Sequence, residues 1–374
     1  MASYIVRRVV QALPVLFLIA VVSFGLMMVA PGGPQNQFNQ NPRITQEQID
    51  QYLARWCLQS RPDPVGVLRT FGGWMGVWNC EHGGTGFDGF FSQHGMPNVL
   101  PGFLGGGDNG LLHLDFGRSM LVSPNAPVLD LIIFRLPGTL ILMFTAFLIW
   151  VSLAIVLGVI AAVRRYSVFD QSVTLMSYIF YSLPTFWLGL MLIYIFAVHL
   201  RMLPAQGIIS IREAPAPWNT DRYWAAFGAD PLRQIRDIAE HLILPVTTLV
   251  AVSVAADTRY VRSAMLDVLG QDFVRTAKAK GLPSRTVIFR HAFRNALLPI
   301  ITNVALALAF LFSGAIVTET IFSWPGMGRL YFEAIFQRDY YLVMGILFFS
   351  ATLVVIMNLV ADVIYAWADP RIRY

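Results

Sequence analysis

Six stretches without a single Asp, Glu, Lys or Arg constrain this chain more than any other feature: residues 9–30, 136–163, 171–200, 241–256, 295–318 and 340–361. A helix needs about 20 apolar residues, roughly 17–25, to cross a bilayer's hydrocarbon core. Five of the stretches reach that length. The fourth, at 16 residues, needs Asp257 and Thr258 at or near its end. The pattern predicts an all-α membrane protein with six transmembrane helices. Composition agrees, since 56% of the chain is hydrophobic and 13% charged, against about 25% charged in soluble domains. Disorder is excluded, and a single water-soluble domain is disfavoured.

The first stretch follows Arg7 and Arg8 and resembles a signal peptide in that respect. Its apolar part is too long, however, and Met28-Val29-Ala30 lacks the small residue required three positions before a cleavage site. A retained first helix is expected. Basic residues then set the orientation. With the N-terminus inside, the inner segments 1–8, 164–170, 257–294 and 362–374 carry 14 Lys and Arg in 66 residues. The outer segments 31–135, 201–240 and 319–339 carry 13 in 166. Both termini are expected to be cytoplasmic. The net charge of +5 therefore reads as membrane orientation plus one basic cytosolic surface, not as a nucleic-acid footprint. Three regions follow: the N-terminus and first helix (1–30), an outer loop subdomain (31–135), and a transmembrane core (136–374) that contains the cytoplasmic loop 257–294.

The outer segment holds Trp56, Trp74, Trp78 and many glycines, and is expected to form a small ordered insertion between the first two helices. It contains both cysteines, Cys57 and Cys80. On an oxidising outer side a disulfide between them is expected in preference to two free buried thiols, worth about 3 kcal/mol on the chain-entropy account. Motifs for chemistry are missing. There is no GxxxxGK[ST] phosphate loop, no HExxH and no CxxC. Glu81-His82-Gly83-Gly84 reads as a glycine-rich turn with a surface histidine. No catalytic residue and no metal ligand is assigned.

Residues 257–294 are the most informative segment. Asp272 suits the first turn of a short helix, and Lys278 and Lys280 lie near its end, where the helix dipole favours cations. Gly281 suits the C′ position, and Pro283 prevents continuation. Ser284 can cap a second helix running to residue 295. A short helix across the ends of two spans is a lever for a soluble partner. The plainer alternative is a basic loop that only obeys the orientation rule.

Arg275-Thr276-Ala277, Gly281 and the run His291-Ala292-Phe293-Arg294-Asn295-Ala296-Leu297-Leu298-Pro299 resemble the signature loop of ABC-importer membrane subunits, in the variant of the dipeptide/oligopeptide/nickel branch. That signature reads Glu-Ala-Ala, three residues, Gly, nine residues, Ile-x-Leu-Pro. Arg275 stands on its glutamate, His291 and Arg294 on its Ile and Pro, and the proline has moved to Pro299. Tyr4–Arg8, Leu114–Ser119, Ser182–Phe186, Thr318–Gly328 and Asp369–Arg371 resemble the same branch in the same order. Residues 40–108 lack a clear counterpart in that pattern.

The resemblance implies a bacterial inner-membrane, multi-pass permease subunit that forms half of a translocation pathway for peptides or related small solutes. It implies a homologous second permease subunit, two cytosolic ATPase subunits that carry ATP and Mg, and an outer solute-binding protein. The chain itself is then no enzyme. Asp272, Arg275, Ala277, Lys278, Lys280 and Gly281 would couple it to the ATPases. Pro184, Phe186, Trp187, Glu319 and Trp324 are candidates for the pathway or its gate. Asp257, Glu319 and Asp362 are expected near helix ends, within reach of water, with Glu319 at the outer mouth. A secondary transporter or channel is the alternative, and would need inverted repeats and mid-membrane ionisable groups. An embedded enzyme and an exporter fit less well.

Overall fold

The computed structural model describes residues 2–29, 71, 75, 116–119, 121–210, 218–312 and 314–368. The described residues are helical almost throughout, and form no strand beyond an isolated bridge between Arg118 and Pro127. In order, the helices are α1 (Ala2–Val29), α2 (Val128–Val163), α3 (Val168–Ser182), α4 (Thr185–Leu192) with a π-helical extension Ile193–His199, α5 (Asp221–Ala229) and α6 (Pro231–Leu269). There follow α7 (Asp272–Ala279), α8 (Ser284–Thr286), the π-helical Val287–Phe293 and α9 (Arg294–Ala309). The last are α10 (Ile316–Ile321), α11 (Met327–Gln337) and α12 (Tyr340–Ala368).

Among the described residues three helices are long and apolar enough to cross a membrane: α2, α6 and the stretch Tyr340–Val363 of α12. A fourth span is formed if α3 and α4 with its extension count together, although they meet at 99°. The six charge-free stretches thus do not translate into six straight helices. In α1 the apolar part is the shorter stretch Val10–Gly25. The fifth stretch is interrupted. After α9 come a 3-10 turn, Phe310–Phe312, and Gly314 at φ +76, before α10 begins. A left-handed residue ends a helix, and glycine adopts it without a Cβ penalty. The fourth stretch, by contrast, is longer than it looked. All of α6 is one 39-residue helix, roughly 58 Å at 1.5 Å per residue, so it overshoots the hydrocarbon core.

Pro184 produces a break, where the sequence suggested a kink. Leu183, ahead of the proline, is forced to extended backbone (φ −77, ψ 130), and Pro184 has no N–H to continue the ladder. The Ser182 hydroxyl donates to the carbonyls of Tyr178 and Ile179 and closes the end of α3.

Two compact units are distinguished: Met1–Val10, Arg135–Phe332 and Leu353–Tyr374 form the first, Gln11–Phe134 and Glu333–Thr352 the second. The first has two apolar clusters. One gathers Leu142, Phe147, Trp150, Trp218, Tyr223 and Trp324. The other gathers Val159, Val261, Met265, Val274, Ala277, Val287, Ala292 and Ile300 around the short helix α7. At Gly158 a Cβ would lie 2.7 Å from the Cβ of Val261, so only glycine lets α2 and α6 approach there. On its outer faces α2 leaves Phe144, Leu148 and Val156 uncovered by the chain, as expected of a helix apolar on all sides that meets lipid or another subunit.

In the second unit, Phe116 packs beside Gly345 and the rings of Phe348 and Phe349. The buried Asp339 carboxylate accepts from the Ser119 hydroxyl (2.6 Å) and the Leu121 (3.0 Å) and Val122 (3.3 Å) amides. The cysteines Cys57 and Cys80, and most of the outer segment 31–135, lie outside the described residues.

Candidate functional site

The loop 257–294 folds around α7. Asp272 occupies its first turn, with Gln271 at the N-cap position and no side-chain capping bond. At the other end Gly281 takes φ +75. Its amide donates to the Lys278 carbonyl (2.9 Å) and the Leu282 amide to the Ala277 carbonyl (3.4 Å), which is the Schellman termination expected for a C′ glycine. Ser284 does not cap the next helix. Pro283 holds that position (φ −57, ψ 139) and Ser284 is already its first residue, because the proline ring fixes the extended entry without a side-chain bond. From Ser284 the chain stays helical through α8 and the π-helical turn into α9.

The helix α7 is two-faced. Val274 and Ala277, three residues apart, are buried in the cluster with Met265, Val287 and Ala292. Asp272, Arg275, Lys278, Lys280 and Gly281 are exposed. Ala277 thus stands at the signature's small-residue position because a larger side chain would have to displace that cluster. Arg275 lies 3.5 Å from Asp272, both well exposed, and such a pair contributes little.

Sequence reasoning missed how the loop is tied to the spans. Asp170, in the first turn of α3, is buried and accepts two bonds from Arg262 on α6, at 2.6 and 2.8 Å. It also accepts from the Tyr166 amide (2.9 Å), while the Ser167 hydroxyl accepts from the Asp170 amide. The partners are 92 residues apart, and no local pattern announces the pairing. Nearby, Asn303 donates to Asp257 (3.1 Å), joining α9 to α6. Asp257 lies well within α6, not at its end.

Of the gate candidates, Phe186 (53% exposed) and Trp187 (44%) stand uncovered just past the break at Pro184. Glu319 and Trp324 differ from expectation. A water-reachable place was expected for Glu319, yet both residues are 0% exposed. The carboxylate accepts from the Thr139 hydroxyl (3.0 Å), the Ala315 amide (3.2 Å) and the Arg329 amide (2.9 Å). A Cβ at Gly326 would overlap it. Trp324 donates from its indole to the Gly138 carbonyl (2.8 Å). Together they fasten the turn between α10 and α11 to α2. Backbone donors substitute for water here, which is how a buried carboxylate is tolerated. At the far end of α6, Asp237 accepts from the Ser210 amide and hydroxyl. Burial first, and the Asp237 charge second, push the Tyr223 phenol above its usual value. Among the described residues no three His, Cys, Asp or Glu side chains gather as a metal site.

Long apolar helices and a short helix, α7, with a basic exposed face are the architecture of a membrane protein. Residues 154–374 match the family of binding-protein-dependent transport system inner membrane components. The chain is 37% identical to the oligopeptide transport system permease protein AppB of Bacillus subtilis (strain 168), over the full length of both. It is 42% identical to the di/tripeptide transport system permease protein DppB of Pseudomonas aeruginosa (strain UCBPP-PA14) over 64% of this chain and 71% of that one. It is 39% identical to the dipeptide transport system permease protein DppB of Escherichia coli (strain K12) over 71% and 78%. The chain belongs to the binding-protein-dependent transport system inner-membrane family: it is a permease subunit of an ABC importer, multi-pass in the bacterial inner membrane. The Bacillus match also runs through residues 40–108, so that segment does have a counterpart among the relatives.

Proposed function

We propose that this subunit forms half of a translocation pathway for peptides or related small solutes, with a second homologous permease subunit completing it. Two cytosolic ATPase subunits holding ATP and Mg dock below, and an outer solute-binding protein delivers the cargo. Six membrane passages with both termini cytoplasmic complete the reading. The Arg8–Asp362 ion pair (3.2 Å) supports it by bringing the start of α1 beside the end of α12. Peptide cargo is supported by the relatives, each a peptide permease by description. A secondary transporter or channel is set aside by the family membership.

The observation that carries the mechanism is α7: seated from within by Val274 and Ala277, basic on its free face, and joined at both ends to long helices. Asp272, Arg275, Lys278, Lys280 and Gly281 would meet the ATPase, and Ala277 would keep the helix seated. When the ATPases close, α7 moves and carries α6 and α9 with it. ATP drives this because it binds the closed state better. Pro184, Phe186 and Trp187 would border the pathway, and the Cys57–Cys80 disulfide would stabilise the outer segment.

Co-purification of the chain with its cytosolic partners tests the assembly; recovery without any ATPase subunit refutes it. Gly281→Trp tests the coupling. A Cβ at Gly281 meets nothing within 4 Å, so the first carbon of a new side chain fits, and the positive φ costs about 1–2 kcal/mol. Uptake should nevertheless collapse while the subunit still folds and inserts. Undiminished ATP-driven uptake refutes the role of α7.

A further inference from the structure

Arg259 lies one turn before Arg262 on α6 and is treated by the fold in the opposite way. Arg262 is neutralised by Asp170. No carboxylate among the described residues lies within ion-pair distance of Arg259. Long basic side chains near the end of a span normally extend towards the water. Arg259 instead folds back along α6, away from the α7 end, and its Nε donates to the carbonyl of Ala255 (3.2 Å). Its guanidinium carbon sits 5.1 Å over the ring of Tyr178 and 4.7 Å over that of Tyr181. These tyrosines are 8 and 11 residues beyond Asp170 along α3, roughly 12–17 Å further along the helix at 1.5 Å per residue. They stand in the last two turns before the break at Pro184. Both rings are more than half exposed, 56% and 58%, and neither phenol has a hydrogen-bond partner among the described residues.

A cation without a carboxylate partner, drawn back along α6 from its cytoplasmic end towards the apolar stretch, is a candidate site of function. The tyrosine faces hold the guanidinium in place. They leave its terminal N–H groups for a ligand, and the planar fork of arginine matches a carboxylate. We propose that Arg259, carried on Tyr178 and Tyr181 beside the break in the third segment, is a binding site for the carboxylate of the passing solute, namely the C-terminus of a short peptide. The proposal rests on the peptide-importer reading and adds a named contact to it. It also explains the reversed direction of the side chain: the cation points to where cargo passes and not to the cytosolic water.

The test uses the complete complex with its partner permease, ATPases and binding protein. Phenylglyoxal, which modifies accessible arginines, is applied to the complex, and Arg259 is read by mass spectrometry with tri-alanine or tri-alanine amide present. Tri-alanine protects Arg259 and the amide does not. Equal labelling with both, or no labelling in the assembled complex because a carboxylate of the second subunit covers the arginine, overturns the proposal. In proteoliposomes, Arg259→Gln lowers tri-alanine uptake about tenfold or more, the scale of a lost hydrogen bond to a charged group, and Arg259→Lys falls between. Complex yield and stimulation of ATP hydrolysis by the binding protein stay at wild-type level. Unchanged uptake, or a loss explained entirely by failed assembly, overturns the site. A wild-type complex that hydrolyses ATP but imports no peptide overturns the peptide reading itself.

Discussion

Replacing Thr139 by valine keeps the shape of a fully buried side chain and deletes one hydroxyl. That hydroxyl has two jobs. It donates to Glu319 Oε1 at 3.0 Å and accepts from the amide of Met327 at 2.7 Å. Valine leaves the Met327 amide buried without an acceptor, at about 1–3 kcal/mol, and removes a bond to a carboxylate, worth about 1.5–3 kcal/mol. Neither group can turn to water, since Thr139 and Glu319 are 0% and Met327 1% exposed. The sum, about 2.5–6 kcal/mol, falls locally on the turn between α10 and α11. Hydrogen exchange of the purified subunit in detergent reads that turn directly. The Met327 and Arg329 amides should exchange roughly a hundredfold faster or more, while amides in the middle of α6 stay protected. Thr139→Ser, which keeps the hydroxyl, should stay much closer to wild type. If valine and serine variants exchange alike, the hydroxyl does not hold the turn and the account of Glu319 is wrong.

Asp170→Asn should destabilise the subunit by less than the roughly 3–5 kcal/mol of a fully buried pair, because Arg262 keeps a quarter of its exposure; an unchanged melting temperature in detergent would contradict the tie between α3 and α6. Ala277→Leu should cost about 1–3 kcal/mol by overpacking the cluster beneath α7 and reduce ATPase co-purification, whereas Ala277→Ser should be tolerated. Lys278→Glu with Lys280→Glu touches only exposed positions, so the melting temperature should fall only slightly, by the lost charge–dipole term at the end of α7, while the ATPase subunit binds more weakly; equal retention of the ATPase refutes a basic docking face. Mass spectrometry of unreduced protein should find Cys57 joined to Cys80, and two free thiols would refute the disulfide.

What could be read from the sequence was local. Asp272, Gly281 and Pro283 lie within twelve residues of one another, and they define α7 by capping rules that act over a single turn. Apolar runs were legible because a bilayer enforces their length. Breaks inside them were not. Gly314 ends the fifth run without adding a charge, so the run looks continuous until its φ is known. Pro184 announced a perturbation but not its 99° size, which depends on what α4 packs against, such as Phe322 facing Gly189. Glu319 was misplaced for a related reason. Its donors come from Thr139, 180 residues away, and from amides of a turn whose geometry the sequence does not print. A charge beside an apolar run looks interfacial unless such partners are known.

These non-local ties decide how a push on α7 would travel under the proposed mechanism. Gly270 separates α7 from α6 by a single turn, and the buried face of α7, which packs on the π-helical Val287–Phe293, shares one apolar cluster with Val261 and Met265 of α6, so a shift of α7 would disturb packing that reaches α6. From α6 the inner part of α3 is held by a bidentate charged pair, a stiffer link than apolar packing because it fixes direction as well as distance. At Leu183–Pro184 the helical hydrogen bonding stops. Beyond that point α4 packs against α6 itself and against α10, whose Glu319 ties it to α2. Under that mechanism a displacement entering at α7 would reach α3 through α6 and meet a joint just past Tyr181, whose far side touches α10 as well as α6. Relative motion of α3 and α4 would then concentrate at the break, beside the uncovered Phe186 and Trp187 and the guanidinium of Arg259.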